Sequence, residues 1–170
     1  MRRILTDFDG VWNPLGYAPD LAFLMPYQDL THGTFRDLDG DRHNVFVSTE
    51  LMSFLRGIAE DPDVDLLLLS TWNVDIADDG FTGFGFPSIR RLPWGRTGGA
   101  PGCSGKVDAA LSVADDRPTL WMEDELTPDD LDRLNAGNSG RQHPIQLLAT
   151  TGWKGLTRQD VRRIEDFLSA

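Results

Sequence analysis

The run Val64-Asp65-Leu66-Leu67-Leu68-Leu69 constrains this chain more than any other segment. Side chains of a strand point alternately to opposite faces, so an unbroken leucine run buries both faces, the condition met by a parallel sheet covered with helices. The preceding segment agrees: Thr49 to Glu60 carries Leu51, Phe54, Leu55 and Ile58 at i, i+3, i+4 and i+7, one face of a helix.

Helical and strand-like patterns alternate along the rest of the chain. Arg3–Thr6, Ser88–Leu92, Thr119–Met122 and Ile145–Thr150 read as strands, and Val74–Asp79 and Lys106–Ala114 as helices. Thr127-Pro128-Asp129-Asp130 is a helix start, with Thr as N-cap, Pro at the first helical position and an acid three residues after the cap; Thr157-Arg158-Gln159-Asp160 repeats the pattern before a final helix with Val161, Ile164 and Leu168 inward. The expected class is α/β, a Rossmann-like, mostly parallel sheet flanked by helices. Residues 1–170 are read as a single domain, with one insert at 11–48: a loop and a β-hairpin flap pairing Thr34–Leu38 with Asn44–Ser48 around Asp39-Gly40-Asp41, Asp-Gly being a favoured hairpin turn.

Composition narrows the function. The net charge of −11 argues against an extended nucleic-acid surface, which needs Lys and Arg along its length. No apolar run approaches the roughly 20 residues of a membrane span, and the start of the chain lacks the apolar core of a signal peptide. A cytoplasmic protein with no membrane partner is expected. Cys103 is the single cysteine, which rules out an intramolecular disulfide.

In an open parallel sheet, ligands bind beyond the carboxyl ends of the strands. There the sequence places Asp7-Phe8-Asp9-Gly10 after the first strand, Ser70-Thr71 after the leucine run, and Glu123-Asp124 after Thr119–Met122, while Lys106 opens the helix before that strand. Carboxylates crowded this closely raise one another's pKa unless a cation compensates them. A hard divalent ion such as Mg2+, held by carboxylates together with a substrate phosphate, is the natural partner. The lysine and a Ser or Thr hydroxyl supply the charge and the donor that phosphate oxygens need. The ensemble suits a phosphoryl group.

At these residues the chain resembles the haloacid dehalogenase-like (HAD) hydrolase superfamily, whose motifs are strand-Asp-x-Asp, strand-Ser/Thr, Lys and a strand followed by an acidic pair. They occur in order as Ile4-Leu5-Thr6-Asp7-Phe8-Asp9-Gly10-Val11, Leu66–Thr71, Lys106, and Leu120-Trp121-Met122-Glu123-Asp124. Trp72, the Trp121–Leu126 segment and Thr151-Gly152-Trp153-Lys154-Gly155-Leu156-Thr157 look like a branch related to HAD domains of RNA-repair proteins. The resemblance implies a Mg2+-dependent phosphatase working through an aspartyl-phosphate. Asp7 would be the nucleophile, and Asp9 the acid and base. Ser70 or Thr71, with Lys106, would bind the substrate phosphate. Asp7, the backbone carbonyl of Asp9, Glu123 and Asp124 would hold Mg2+, with either Glu123 or Asp124 as the direct acidic-pair ligand. With only a hairpin-sized insert the chain falls among capless members, whose open sites admit bulky substrates, so a nucleotide or a nucleic-acid terminal phosphate is the expected ester. A catalytically silent domain that binds a phosphorylated ligand or a protein partner is the alternative.

Other motifs carry less. Asp37-Leu38-Asp39-Gly40 repeats the Asp-x-Asp-Gly pattern but follows no apolar strand and reads as the hairpin turn. Gly102-Cys103-Ser104-Gly105-Lys106 fails as a phosphate-binding P-loop, which would need Gly at Ala100 and Ser or Thr at Val107. His32, His43 and His143 lack ligand spacing and are expected on the surface or in loops. Trp12 and Trp72 either pack in the core or line the site and stack on a ring. From Phe81 to Val107 the charged residues are Arg90, Arg91, Arg96 and Lys106, all basic, either a phosphate-attracting island or scattered loop arginines.

Overall fold

The structure is a computed structural model and describes residues 1–14, 24–36, 42–70, 89–94 and 104–170. The described elements, in order, are β1 (Arg2–Thr6), β2 (Leu30–Arg36), β3 (Arg42–Ser48), α1 (Thr49–Glu60), β4 (Val64–Leu68), β5 (Arg90–Arg91), α2 (Ser104–Val113), β6 (Thr119–Glu123), α3 (Pro128–Asn138), β7 (Gln146–Ala149) and α4 (Arg158–Ser169). Five strands form one parallel sheet in the order β5-β4-β1-β6-β7, and β2 and β3 form a separate antiparallel pair. The class is α/β and Rossmann-like. Helix α2 begins two residues before Lys106, which therefore lies in the first turn rather than at its opening. The helix expected at Val74–Asp79, like Thr71, Trp72, Arg96, Cys103 and the Asp37–Gly40 motif, lies outside the described residues.

The leucine run divides between two cores. Leu66 and Leu68 pack with Ile4, Leu120, Met122 and Leu148 against α1 and α4, while Leu67 and Leu69 join Leu5 and Trp121 against α2 and Leu134 of α3. Each such side chain contributes about 1.5–3 kcal/mol on burial. A one-residue slip of β4 would exchange the two sets, so the register Ile4↔Leu66, Leu5↔Leu67 is fixed from both sides. In α4 the buried residues are Ile164 and Phe167, with Val161 and Leu168 partly buried beside them, so Phe167 adds to the expected inward face.

Local signals act where they were read. Thr127 with Asp130, and Thr157 with Asp160, form reciprocal capping boxes at the starts of α3 and α4. Helix α1 is held differently: Ser48 Oγ accepts from Leu51 N–H, while Asp29 accepts from Ser48 Oγ at 2.7 Å, Thr49 Oγ1 at 2.5 Å and Glu50 N–H at 2.9 Å. A carboxylate here satisfies unpaired N–H groups and complements the positive end of the helix dipole.

The hairpin register corrects the expected pairing. Leu30 pairs with Ser48 and Thr34 with Asn44, so β2 starts four residues earlier than the expected Thr34, and Thr34 faces Asn44 instead of Ser48. Burial of Val45 and Val47 in the core beside Trp12, Tyr27 and Leu51 fixes β3. Strand β2 offers mostly exposed or half-buried residues from Leu30 to Thr34, with no apolar alternation of its own to declare its register.

Candidate active site

Strand β1 is central: the chain builds outward from it through β4 to β5 on one side, then returns to β6 and β7 on the other, so the topological switch point falls at the carboxyl end of β1. Asp7 lies one residue past that end. Its N–H donates to Met122 O at 3.1 Å, prolonging the pairing with β6, and its Oδ1 accepts from Phe8 N–H at 2.6 Å. Thr6 Oγ1 donates to Asp7 O at 2.7 Å and accepts from Trp12 Nε1 at 2.7 Å. Trp12 is fully buried, which makes it a core residue that braces the loop.

Lys106 reaches the same point from the first turn of α2. Its Nζ donates to Asp7 Oδ2 and, at 2.8 Å, to Glu123 Oε2 at the end of β6. The side chains of Lys106 and Glu123 are fully buried and that of Asp7 nearly so. Burial alone would lower the lysine pKa, but the charges and hydrogen bonds of Asp7 and Glu123 outweigh it and raise it, so the ammonium stays charged. Burial first, then the charge of Asp7, pushes the Glu123 carboxyl up to about 8 despite Lys106. The other Glu123 oxygen, Oε1, faces the N–H groups of Asp124 at 3.2 Å and Glu125 at 3.3 Å.

Asp124 faces a different way. Its carboxylate lies against the backbones of Gly10 and Gly152, where a Cβ at either position would collide with it. Gly10 is needed twice over, because its φ of +67° is also one that side chains rarely adopt. The segment after β7 clasps this loop: Thr150 Oγ1 donates to Gly10 O at 2.8 Å, and Leu156 N–H to Val11 O at 2.8 Å. Half-buried, Asp124 is pushed up to about 6 by burial, then by Asp7 and Glu125.

Asp7, Glu123 and Asp124 each offer a carboxylate oxygen within 4.8 Å of the others. Three hard oxygen donors this close together, two of them with carboxyls raised by burial and by the neighbouring Asp7, are a donor set that fits a divalent cation. Asp9, two residues beyond Asp7, is not one of these three; its Oδ1 accepts from Asn13 Nδ2 at 2.6 Å. Ser70 is fully buried beyond β4, and its carbonyl accepts from Trp94 Nε1 at 2.9 Å and from Arg91 Nη2 at 3.3 Å. Lys106 Nζ lies 5.9 Å from the Trp94 ring centroid, so this tryptophan links the Ser70 turn to the lysine.

Asp7, Lys106, Glu123 and Asp124 are thus brought together as the strand-end reading anticipates. Thr71 lies outside the described residues. The described basic residues of the 81–107 stretch have separate partners: Arg90 reaches Asp65 at 3.2 Å, Arg91 the Ser70 carbonyl, and Lys106 the two carboxylates. Sequence reasoning missed Trp94, Asn13 and the packing of Gly10 and Gly152 on Asp124. Of these, the Asp7–Gly10 motif gave a signal for Gly10 and the 151–157 segment for Gly152.

Fold and site define an α/β domain with an acidic, lysine-bearing centre at the carboxyl end of its middle strand. The structure is similar to that of the HAD domain of the effector protein Lem4 from Legionella pneumophila, with a TM-score of 0.58 and 14% identity over 99% of this chain and 94% of that one. At this identity the likeness is one of fold. No protein-family model and no curated protein matches the chain. Among the described residues, no helix is long and apolar enough to cross a membrane.

Proposed function

We propose that the chain is a Mg2+-dependent phosphomonoester hydrolase of the HAD type, working in the cytoplasm. The observation that carries this reading is the buried lysine held between Asp7 and Glu123, with Asp124 alongside, at the switch point of the sheet. A surface ion pair would be ordinary; a fully buried lysine beside several carboxylates is costly to desolvate and is a functional-site signature when it lies in a crevice.

Asp7 attacks phosphorus. As the Asp7 Oδ–P bond forms, the ester P–O bond breaks, its electron pair leaves with the ester oxygen, and a proton from Asp9 neutralises that oxygen. Asp9 then takes a proton from water as the water oxygen attacks the phosphoryl group, which releases inorganic phosphate and restores Asp7. Lys106 pairs with Asp7 and opposes the charge of the phosphoryl oxygens, and Ser70 lies at the end of the neighbouring strand to bind them. Asp7 and Asp124, with the Asp9 carbonyl, would hold Mg2+, which when bound supplies positive charge to the transferring phosphoryl group. Glu123, engaged by Lys106 and two backbone N–H groups, serves mainly to hold the lysine. Partial exposure of Asp9 and Asp124 supports an open mouth and so a bulky ester, a nucleotide or a nucleic-acid terminal phosphate.

The test is phosphate release from an aryl phosphate, a nucleotide panel and 3′- or 5′-phosphorylated oligonucleotides, with Mg2+ or EDTA, for wild type and Asp7→Asn. Release that requires both Mg2+ and Asp7 supports the reading and ranks the substrates. No release together with no Mg2+ binding overturns it in favour of a silent domain that binds a phosphorylated ligand or a protein partner.

A further inference from the structure

We propose that Asn13 is the positioning residue for Asp9, and that it ties the Asp9 carboxyl to the backbone of the hairpin. The proposal rests on the phosphomonoesterase reading, in which Asp9 gives its proton to the departing oxygen.

Asp9 lies on the loop beyond β1, and a general acid must stand within hydrogen-bond reach of one substrate atom. Asn13, only 3% exposed, provides the constraint. Its Nδ2 donates to Asp9 Oδ1 at 2.6 Å, and its Oδ1 accepts from the Phe46 N–H of β3 at 2.9 Å. The amide's orientation follows from its partners. Phe46 N–H is a donor, so the atom facing it is oxygen, and the atom facing Asp9 is then the NH2 group. The Asn13 main chain is fixed as well, its carbonyl accepting from Gly10 N–H at 2.9 Å and its N–H donating to Phe8 O at 3.1 Å. Phe46 lies between Val45 and Val47, which bury β3 in the core, so the anchor is rigid. Asparagine meets these demands because one short planar group carries both a donor and an acceptor.

The experiment exploits leaving-group chemistry. Dinitrophenolate departs without a proton, whereas phenolate needs one, so misplacing the acid slows phenyl phosphate and spares dinitrophenyl phosphate. A change that merely loosens the fold or displaces Asp7 slows both alike. Asn13→Ala is expected to lower kcat/KM, which reads only the steps up to departure of the aryl oxide and so leaves out the later work of Asp9 as base, by about 10- to 100-fold for phenyl phosphate and by less than about threefold for dinitrophenyl phosphate. Asn13→Asp retains the acceptor for Phe46 N–H and loses the donor to Asp9. It should show the same selective loss with a thermal midpoint near that of wild type, which separates the Asp9 contact from the hairpin anchor. Equal losses on both esters, wild-type rates in Asn13→Asp, or failure of both variants to fold overturns the proposal. Asp9→Asn is the benchmark: if it is selective for phenyl phosphate while the Asn13 variants are not, the proposal alone fails. If Asp9→Asn lowers kcat/KM equally for both esters, or wild type hydrolyses neither, the phosphomonoesterase reading fails and this proposal with it.

Discussion

Replacing Lys106 with Met removes the countercharge on which the buried carboxylates depend. Methionine follows a similar path with an apolar, flexible stem, so the change deletes a charge and its hydrogen bonds more than it deletes volume. Lys106 and Glu123 have no exposed side-chain surface and Asp7 almost none, and stranding buried carboxylates by removing their partner costs about 3–5 kcal/mol. For a chain of 170 residues this corresponds to a fall of roughly 6–20 °C in Tm, at about 2–4 °C per kcal/mol. The deficit also depends on pH. In the folded chain Glu123 holds its proton up to about 8, against an ordinary 4.5. Across that window the folded state binds more protons than the unfolded one, so this group lowers stability as pH rises. Without Lys106 the influence that lowers the Glu123 pKa is gone, and the decline extends to higher pH. The stabilisation that Lys106 gains from its raised pKa is complete below the ordinary lysine value of 10.5, so in wild type it stays constant across the range tested. Urea unfolding of both proteins at about pH 6 and about pH 9 should therefore show a deficit at each, larger at the alkaline pH. A deficit below about 1 kcal/mol at both, or one that shrinks towards alkaline pH, refutes the assignment of Lys106 as the buried countercharge.

Three further outcomes are expected. Gly10→Ala strains a φ of +67° and drives a methyl into the Asp124 carboxylate, so it should cost at least about 1–3 kcal/mol in urea unfolding and weaken Mg2+ binding measured by calorimetry; a variant with wild-type Mg2+ affinity counts against Asp124 as a ligand. Added Mg2+ should raise Tm more at about pH 8 than at about pH 5, because protons compete for Asp124, at about 6, in acid; equal shifts at both would place the ion elsewhere. Thr127→Ala removes the hydroxyl half of the capping box at α3 and should cost about 0.5–2 kcal/mol without altering turnover; no loss in thermal or urea unfolding would show the cap to be idle.

What could be read from the sequence, and what could not, divides along a physical line. The leucine run declared the parallel sheet because two-sided burial leaves a periodic mark within one segment, and Asp7, Lys106, Glu123 and Asp124 were legible because each lies within a turn of the end of a patterned segment. The capping boxes at Thr127 and Thr157 were legible for the same reason, being satisfied within four residues. The pairing of β2 escaped notice because only β3 carries buried valines, and an Asp-Gly dipeptide marks a turn without counting the residues around it. Asp29 on the start of α1, Trp94 on the Ser70 carbonyl, and Gly152 on Asp124 escaped notice because each joins a loop to a distant element, and such contacts leave no period in either partner.

Asn13 belongs with these long-range contacts, although it stands only four residues from Asp9. An asparagine in a polar loop is ordinary on composition, and its meaning comes from Phe46, 33 residues away, whose backbone N–H decides which end of the amide faces the carboxyl. The site therefore has two kinds of determinant. Strand ends deliver the charged groups to one place, and contacts between loops and the hairpin decide how those groups point. A substitution in β3 that leaves Val45 and Val47 buried but shifts the Phe46 N–H would disturb Asp9 without touching any residue of the four motifs. The hairpin thus acts on the candidate chemistry through orientation, a role that a motif search centred on Asp7 and Asp9 does not reach.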